Sequence, residues 1–302
     1  MAGKNTMRVH VMMKILFMLI LTGMAATGVR ASELLTGTED SASWKGMVQF
    51  APESARGRGP CFVLHGKYPT PLVYQPLIPV DPDKTYEVKV SFRSVSAELP
   101  ASAYLGAEIY DGQKRLIAIR NVWTKAGSES EVVSARAGES FLTLRMIPDF
   151  AKFKACVVAF GAKKDRSDLP NFELSSRCAG MKADENGNLR IELKKPLEKS
   201  YPAGTPTRFH AYYPHSMYDL ANGWVPAEAG ADHTVRLYTE GHTPGGTGGK
   251  ARQFWKGTKY FRPYVWFGNW NRKPKPGAKL LVDGWSVTEI PSAEKTPEGT
   301  TR

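Results

Sequence analysis

Over residues 84–93, apolar and polar side chains take turns. Tyr86, Val88, Val90 and Phe92 fall on one side of an extended chain, and Thr85, Glu87, Lys89, Ser91 and Arg93 on the other. A period of two marks a strand with one face on a core and the other toward solvent. The same reading predicts strands over residues 103–110, 115–120, 140–147, 155–161, 188–193, 233–238, 260–267 and 279–288. Helical periodicity is nearly absent beyond residue 31. Turn chemistry fills the breaks: Asp81-Pro82-Asp83-Lys84 reads as a turn, and Asp111-Gly112 and Asn186-Gly187 read as hairpin dipeptides. Asn and Asp tolerate positive φ, and Gly adopts it without steric cost. Many short strands separated by such turns predict an all-β fold, an antiparallel β-sandwich of jelly-roll type. Residues 121–222 are more polar and richer in turns than the flanking chain. They predict a large β-rich insertion between jelly-roll halves at about 32–120 and 223–292. Residues 240–250 read as a flexible loop, and residues 293–302 as a disordered tail.

Residues 1–31 break the pattern. Lys4, Arg8 and Lys14 form a basic leader without acidic residues, an apolar run covers residues 15–21, and residues 23–26, Gly-Met-Ala-Ala, are mostly small and weakly apolar. Val29 and Ala31 then stand at the −3 and −1 positions of a cleavage site before Ser32, the layout of a secretory signal peptide. The apolar run is shorter than the roughly 20 residues that cross a bilayer. The expected product is exported to the periplasm, cell surface or extracellular space, with no transmembrane span after signal cleavage. The short leader fits a bacterial source.

Export changes the meaning of the charge. The full chain carries a formal +12; losing Lys4, Arg8, Lys14 and Arg30 leaves +8. Such a balance favours anionic partners, and outside the cytoplasm these are acidic polysaccharides or cell-surface glycans rather than nucleic acid. Export also permits a disulfide among Cys61, Cys156 and Cys178, with one thiol left over. Cys156 and Cys178 are closest in sequence, but Cys156 lies in an apolar run and reads equally well as a buried free thiol.

Aromatic residues supply the candidate chemistry. Residues 255–270 read WKGTKYFRPYVWFGNW. Sugar rings present apolar C–H faces to flat aromatic side chains, while their hydroxyls need amide, carboxylate or guanidinium partners. Trp255, Trp266 and Trp270, with Arg262 and Asn269, are therefore candidate ligand-binding residues. Phe261, Val265 and Phe267 are read as core. A second cluster, residues 210–218, carries Tyr212 and Tyr213 in what reads as a loop, a candidate binding rim.

Other chemistries find less support. The six histidines show no short-spaced ligand pair of the zinc type. Residues 184–188 resemble the start of a calcium loop, but Leu189 and Lys195 occupy the positions of its Gly and Glu, so the segment is read as a hairpin turn. The Gly-rich stretch before Lys250 lacks the first Gly and the Ser or Thr of a phosphate loop. No nucleophile elbow, zinc-protease helix or obvious acid pair appears, and no catalytic residue is assigned.

The two ends of the chain resemble the galactose-binding-like jelly roll of bacterial carbohydrate-binding modules. The likeness lies in Glu33-Leu34-Leu35 followed by Trp44, in residues 77–86 leading into the strand at 88–94, in the strand at 104–111, in Trp224, and in the closing strand at 280–287. It implies a non-catalytic sugar-binding function. It also implies a possible structural calcium, for which Glu39 and Asp283 are the metal candidates; Gly284 replaces the second Asp of the family's closing pattern. The expected function is carbohydrate binding by aromatic stacking plus polar contacts. The alternatives are a structural or adhesive cell-surface sandwich, and a polysaccharide lyase or glycoside hydrolase.

Overall fold

The computed structural model describes residues 32–36, 41–46, 49–51, 60–65, 70–81, 84–95, 101–213, 218–227, 233–240, 254–267 and 277–290. The expected signal peptide, the loop at 241–250 and the tail at 293–302 lie outside the described residues. In chain order the first strands are β1 (Ser32–Thr36), β2 (Trp44–Gly46), β3 (Gln49–Ala51), β4 (Cys61–His65), β5 (Thr70–Tyr74), β6 (Ile78–Pro79), β7 (Thr85–Ser94), β8 (Ala101–Tyr110) and β9 (Leu116–Ile117). A four-residue helix, α1 (Ile119–Val122), follows. Then come β10 (Ser130–Ser134), β11 (Phe141–Leu144), β12 (Cys156–Phe160), β13 (Cys178–Ala183), β14 (Leu189–Leu193) and β15 (Pro206–Ala211). The chain continues through β16 (Tyr218–Ala227), β17 (His233–Glu240), β18 (Tyr260–Phe267) and β19 (Lys279–Ile290).

These strands form an all-β antiparallel sandwich of jelly-roll type with a β-rich insertion. One sheet runs β17-β7-β19-β4-β3, with β1 on β19, and the other runs β16-β8-β18-β5-β2, with β6 on β18 and β9 on β8. Their facing sides share one core. Tyr86, Val88, Val90 and Phe92 of β7 meet Leu280, Val282 and Val287 of β19 on one side, and Leu105 and Ile109 of β8 with Phe261, Val265 and Phe267 of β18 line the other. Trp44 lies within this core, its ring centroid 5.2 Å from that of Trp285 and 5.6 Å from Phe62. Each large ring of this kind contributes about 1.5–3 kcal/mol on leaving water. Thr85, expected on the solvent side of β7, is buried. The alternation of β19 is interrupted by a bulge between Asp283 and Ser286, where its register against β7 slips.

The insertion has a separate core. Its sheet runs β12-β15-β10-β11-β14-β13. Residues 173–175 then bond to the free edge of β12 before the chain enters β13: Ser175 N donates to Val158 O at 2.8 Å, and Phe160 N to Glu173 O at 2.8 Å. The two edges are thus joined around Val132, Leu142, Leu144, Val158, Phe160, Leu189, Ile191 and Phe209. The Asp184–Asn188 turn is a β13–β14 hairpin, as read from sequence. Asp184 Oδ1 accepts from Asn186 N at 2.9 Å and Asn188 N at 2.8 Å, and Gly187 adopts φ 74°. Cys156 and Cys178 are neighbouring free thiols near the joined edges, and Cys156 Sγ donates to Phe153 O at 3.7 Å; Cys61 is free and buried.

Two local expectations are corrected. Residues 115–120 do not form one strand: β9 is two residues long, and α1 begins at Ile119. Asn121 causes the switch, because its Oδ1 accepts the Ala118 N–H at 2.8 Å and closes a helical turn. In the Asp111-Gly112 hairpin the positive φ belongs to Lys114, at 61°, and Asp111 Oδ1 holds the turn by accepting from Gln113 N and Arg115 N.

Buried polar groups fasten the insertion to the sandwich. Asn121 Nδ2 donates to Asn171 O at 2.9 Å, and Asn171 N donates back to Asn121 O at 2.8 Å. Gly257, with φ 84°, lies so close to Pro170 that a Cβ would sit 2.5 Å from its Cδ. His210, fully buried at the end of β15, bridges to α1: its Nδ1 lies 2.7 Å from Arg120 O, and its Nε2 accepts from Arg208 Nε at 2.9 Å. The ring is therefore neutral with the proton on Nδ1. Arg208 in turn pairs with the buried Asp168, which also accepts from Asn171 Nδ2 at 3.0 Å. This corrects the reading of residues 210–218 as one loop, since His210 and Ala211 belong to a buried strand.

Burial, reinforced by the Arg208 charge, lowers the His210 pKa from 6.5 to about 4. The unfolded chain then binds a proton that the folded chain refuses. Stability is fully present above pH 6.5 and falls as the pH drops toward 4, by about 3 kcal/mol for this group. Burial raises Asp168, but bonds from Asn171 and Arg208 outweigh it and hold the carboxyl below its usual value, so its loss begins only at still lower pH. His210→Gln, which keeps a donor and an acceptor, is expected to flatten the urea-unfolding free energy between pH 6.5 and 4. An unchanged pH slope would contradict the assignment.

Candidate functional site

The side of β8 and β18 turned away from the core is polar and aromatic. Register places Tyr110 opposite Tyr260, Glu108 opposite Arg262, Gly106 opposite Tyr264 and Tyr104 opposite Trp266. Sequence reasoning singled out Arg262 and Trp266 here and missed Tyr104, Glu108 and Tyr110, which lie on a strand it did predict but whose partner strand it could not name. The Arg262 guanidinium lies 3.8 Å from Glu108 Oε2, donates to Tyr110 Oη at 3.3 Å and stands 5.1 Å over the Tyr110 ring. Tyr110 donates to Glu108 Oε2 at 2.5 Å. The face is half-buried rather than open, and Tyr264 at its middle is only 3% exposed.

More exposed rings stand where β15 leaves the insertion. Tyr213 is 51% exposed and Trp123 is 39% exposed. Their rings stack, with centroids 6.1 Å apart and planes at 29°. Ala211 N donates to Trp123 O at 2.8 Å, which ties the segment after α1 to the end of β15 and sets the two rings side by side. Tyr213 was a sequence candidate; Trp123 was not, because its window carries no alternation that would set it apart.

Tyr212 faces a different space. It lines a cleft of about 800 Å³ with Arg120, Phe172, Glu173, Ser176, Arg177, Lys194, Lys195, Glu198, Lys199 and Tyr201. The Arg177 guanidinium carbon stands 5.3 Å over the Tyr212 ring. Lys199 pairs with Glu173, and Tyr201 donates to the same carboxylate at 3.2 Å while its ring stacks on Phe160. Burial, with the Glu173 charge beside it, pushes the Tyr201 phenol well above its usual range.

The remaining candidates are scattered. Trp255 is partly buried and packs against the first core, and Trp266 is half-buried on β18. Phe261, Val265 and Phe267 are core, as expected. Asn269, Trp270 and Glu39 lie outside the described residues. Asp283 is half-buried on β19 beside the bulge. Among the described residues no three His, Cys, Asp or Glu side chains gather as metal ligands, so Asp283 has no described donor set that fits calcium. No helix among them is long and apolar enough to cross a membrane.

No protein-family model matches the chain, and no curated protein matches it. Among solved structures it is similar to the CBM22-1 xylan-binding domain of Xyn10C from Paenibacillus barcinonensis, at 9% identity and a TM-score of 0.36, covering 86% of this chain and 96% of that one. It is also similar to the Emp46p carbohydrate recognition domain in metal-free form, at 9% identity and a TM-score of 0.25, covering 84% and 90%. Likenesses this distant add nothing to the geometry, and the functional reading rests on the side chains.

Burial, the bond to Glu108 and the Glu108 charge all raise the Tyr110 phenol far above its usual range. In an alkaline titration followed by tyrosinate absorbance, Tyr110→Phe is expected to remove a late-titrating phenol, and Glu108→Gln to bring that phenol down. A Tyr110 that ionises with the exposed tyrosines would refute the Glu108–Tyr110–Arg262 cluster.

Proposed function

We propose that this chain is an exported carbohydrate-binding protein, one elaborated sandwich that holds sugar against the Trp123–Tyr213 pair, with Tyr212 beside it. The observation that carries the reading is exposure. Trp123 and Tyr213 keep 39% and 51% of their surface in water while stacked on each other. Large rings left exposed give up hydrophobic stabilisation, and a stacked, preset pair loses little side-chain entropy when a ligand covers it. A pyranose ring offers the matching surface, with C–H groups for the ring faces and hydroxyls for polar neighbours. The basic leader and cleavage pattern at residues 1–31 support export, and export places polysaccharides within reach.

The aromatics around β18 are less open. Trp255 and Trp266 are partly buried, short of the full burial that the structural alternative asks of the Trp-rich segment, and both are less exposed than Trp123 and Tyr213. Binding is therefore assigned to the rim of the insertion.

Affinity electrophoresis against a panel of neutral and acidic polysaccharides tests the reading. At least one polymer is expected to retard the native protein. The Trp123→Ala/Tyr213→Ala double variant is expected to bind that polymer about 10-fold or more weakly, from roughly 1 kcal/mol per lost ring contact. Retardation by none of the polymers, or equal retardation of the double variant, would refute it.

A further inference from the structure

The cleft beside Tyr212 carries a charge pattern that stacking does not require. Arg120, Arg177, Lys194, Lys195 and Lys199 line it together with Glu173 and Glu198, a net +3 around one cavity. Among the described residues Lys199 has an ion-pair partner there, Glu173. Among the described residues Arg120, Arg177, Lys194 and Lys195 make no contact with a carboxylate. A protein surface normally intersperses opposite charges, and four such cations around a concave wall raise the local potential and draw in anions.

The backbone that carries three of the cations is held in place. Lys194 N donates to Arg177 O at 2.9 Å. Lys195 N donates to Ser176 Oγ at 2.9 Å, and Ser176 Oγ donates to Lys195 O at 2.8 Å. These bonds clamp the segment before β13 to the segment after β14, which brings the backbones of Arg177, Lys194 and Lys195 together. Tyr212 N donates to Ala155 O at 2.8 Å, and the Arg120 carbonyl is held by His210. The Arg177 guanidinium over the Tyr212 ring adds a flat surface that combines a planar cation with an aromatic face. A volume of about 800 Å³ is in the range of ligand sites.

We infer that this cleft receives the negatively charged groups of an anionic saccharide, carboxylate or sulfate, whose neighbouring rings lie on Trp123 and Tyr213. The inference rests on the proposed sugar-binding function and names its substrate class. A saccharide suits the lining better than a bare polyanion does. Glu198 would repel an anion set directly against it, whereas Glu198 and Glu173 can accept hydrogen bonds from sugar hydroxyls placed between the charges. The preference should be salt-sensitive, because the cations are exposed and screened beyond about 8 Å at physiological ionic strength.

The test measures binding of the full secreted chain to polygalacturonate, dextran sulfate, neutral dextran and poly-glutamate by calorimetry at low and physiological salt. Binding to polygalacturonate or dextran sulfate in preference to neutral dextran, weakening as salt rises, is the expected result; which of the two binds separates carboxylate from sulfate recognition. Arg177→Ala/Lys194→Ala/Lys195→Ala, all at exposed positions, is expected to weaken that binding on the order of 10-fold or more with an unchanged circular dichroism spectrum. Equal affinity of this variant and the native chain would overturn the inference, as would equal affinity for neutral and anionic polymers, or binding of poly-glutamate as tight as that of the polysaccharides. Neutral-polymer binding that persists and still depends on Trp123 and Tyr213 would sink the charge assignment alone. Failure of every saccharide would sink the proposed function with it.

Discussion

The pairing of β7 with β19 is the constraint on which the structure depends. It joins residues 85–94 to residues 280–290, with almost two hundred residues between them. β19 also pairs with β4 and β1, so the last described strand enters the middle of a sheet whose other members come mostly from the first third of the chain. The entropy of closing so long a loop grows only logarithmically with its length. The cost is offset by the apolar face from Tyr86 to Phe92 packed with Leu280, Val282 and Val287, which continues across the bulge in β19. Once that pairing exists, the chain between β9 and β16 can be long, because both its ends return to the same sheet at β8.

The return at β8 explains why the insertion has its own core yet is not a loosely tethered module. Its two ends are pinned by polar groups in dry surroundings: Asn121 with Asn171, and the line from Asp168 through Arg208 and His210 to the α1 carbonyl. Buried ion pairs add little net stability, because desolvation cancels much of the attraction. Their geometric demands are strict, however, and a shifted insertion would leave Arg208 or Asp168 buried without a partner. Position is what this network secures. The exposed rings and the basic cleft lie at the same junction, so the groups proposed to touch ligand are set by the most tightly specified part of the fold.

Much of the fold was legible in the sequence, for a simple reason. Strands that are buried on one face advertise themselves by a period of two, as β7, β14 and β18 did, while β12 showed as a short apolar run. Hairpins anchored by Asp111 and Asp184 were legible because an Asx side chain dictates the turn locally. What could not be read was pairing across distance. Nothing along the chain says that Arg262 will face Glu108 and Tyr110, or that residues 173–175 will close the edge of β12. The site was less legible for the same reason. The Trp-rich segment at 255–270 drew attention by composition, but its described rings are core or half-buried. Trp123, a solitary indole in an unpatterned stretch, gains its neighbour only because Ala211 bonds to its carbonyl.

The division of labour between Tyr212 and Tyr213 follows from strand geometry. Successive side chains on an extended chain point to opposite sides, and the chain has just left β15 with Tyr212 still bonded to Ala155. One ring therefore turns into the cleft under Arg177, and the next turns outward onto Trp123. Two adjacent residues thus serve two unlike surfaces, one cationic and enclosed, the other apolar and open. A ligand that spans both must carry charge as well as flat C–H surface. That requirement narrows the choice to sugars bearing acidic groups more sharply than either surface does alone.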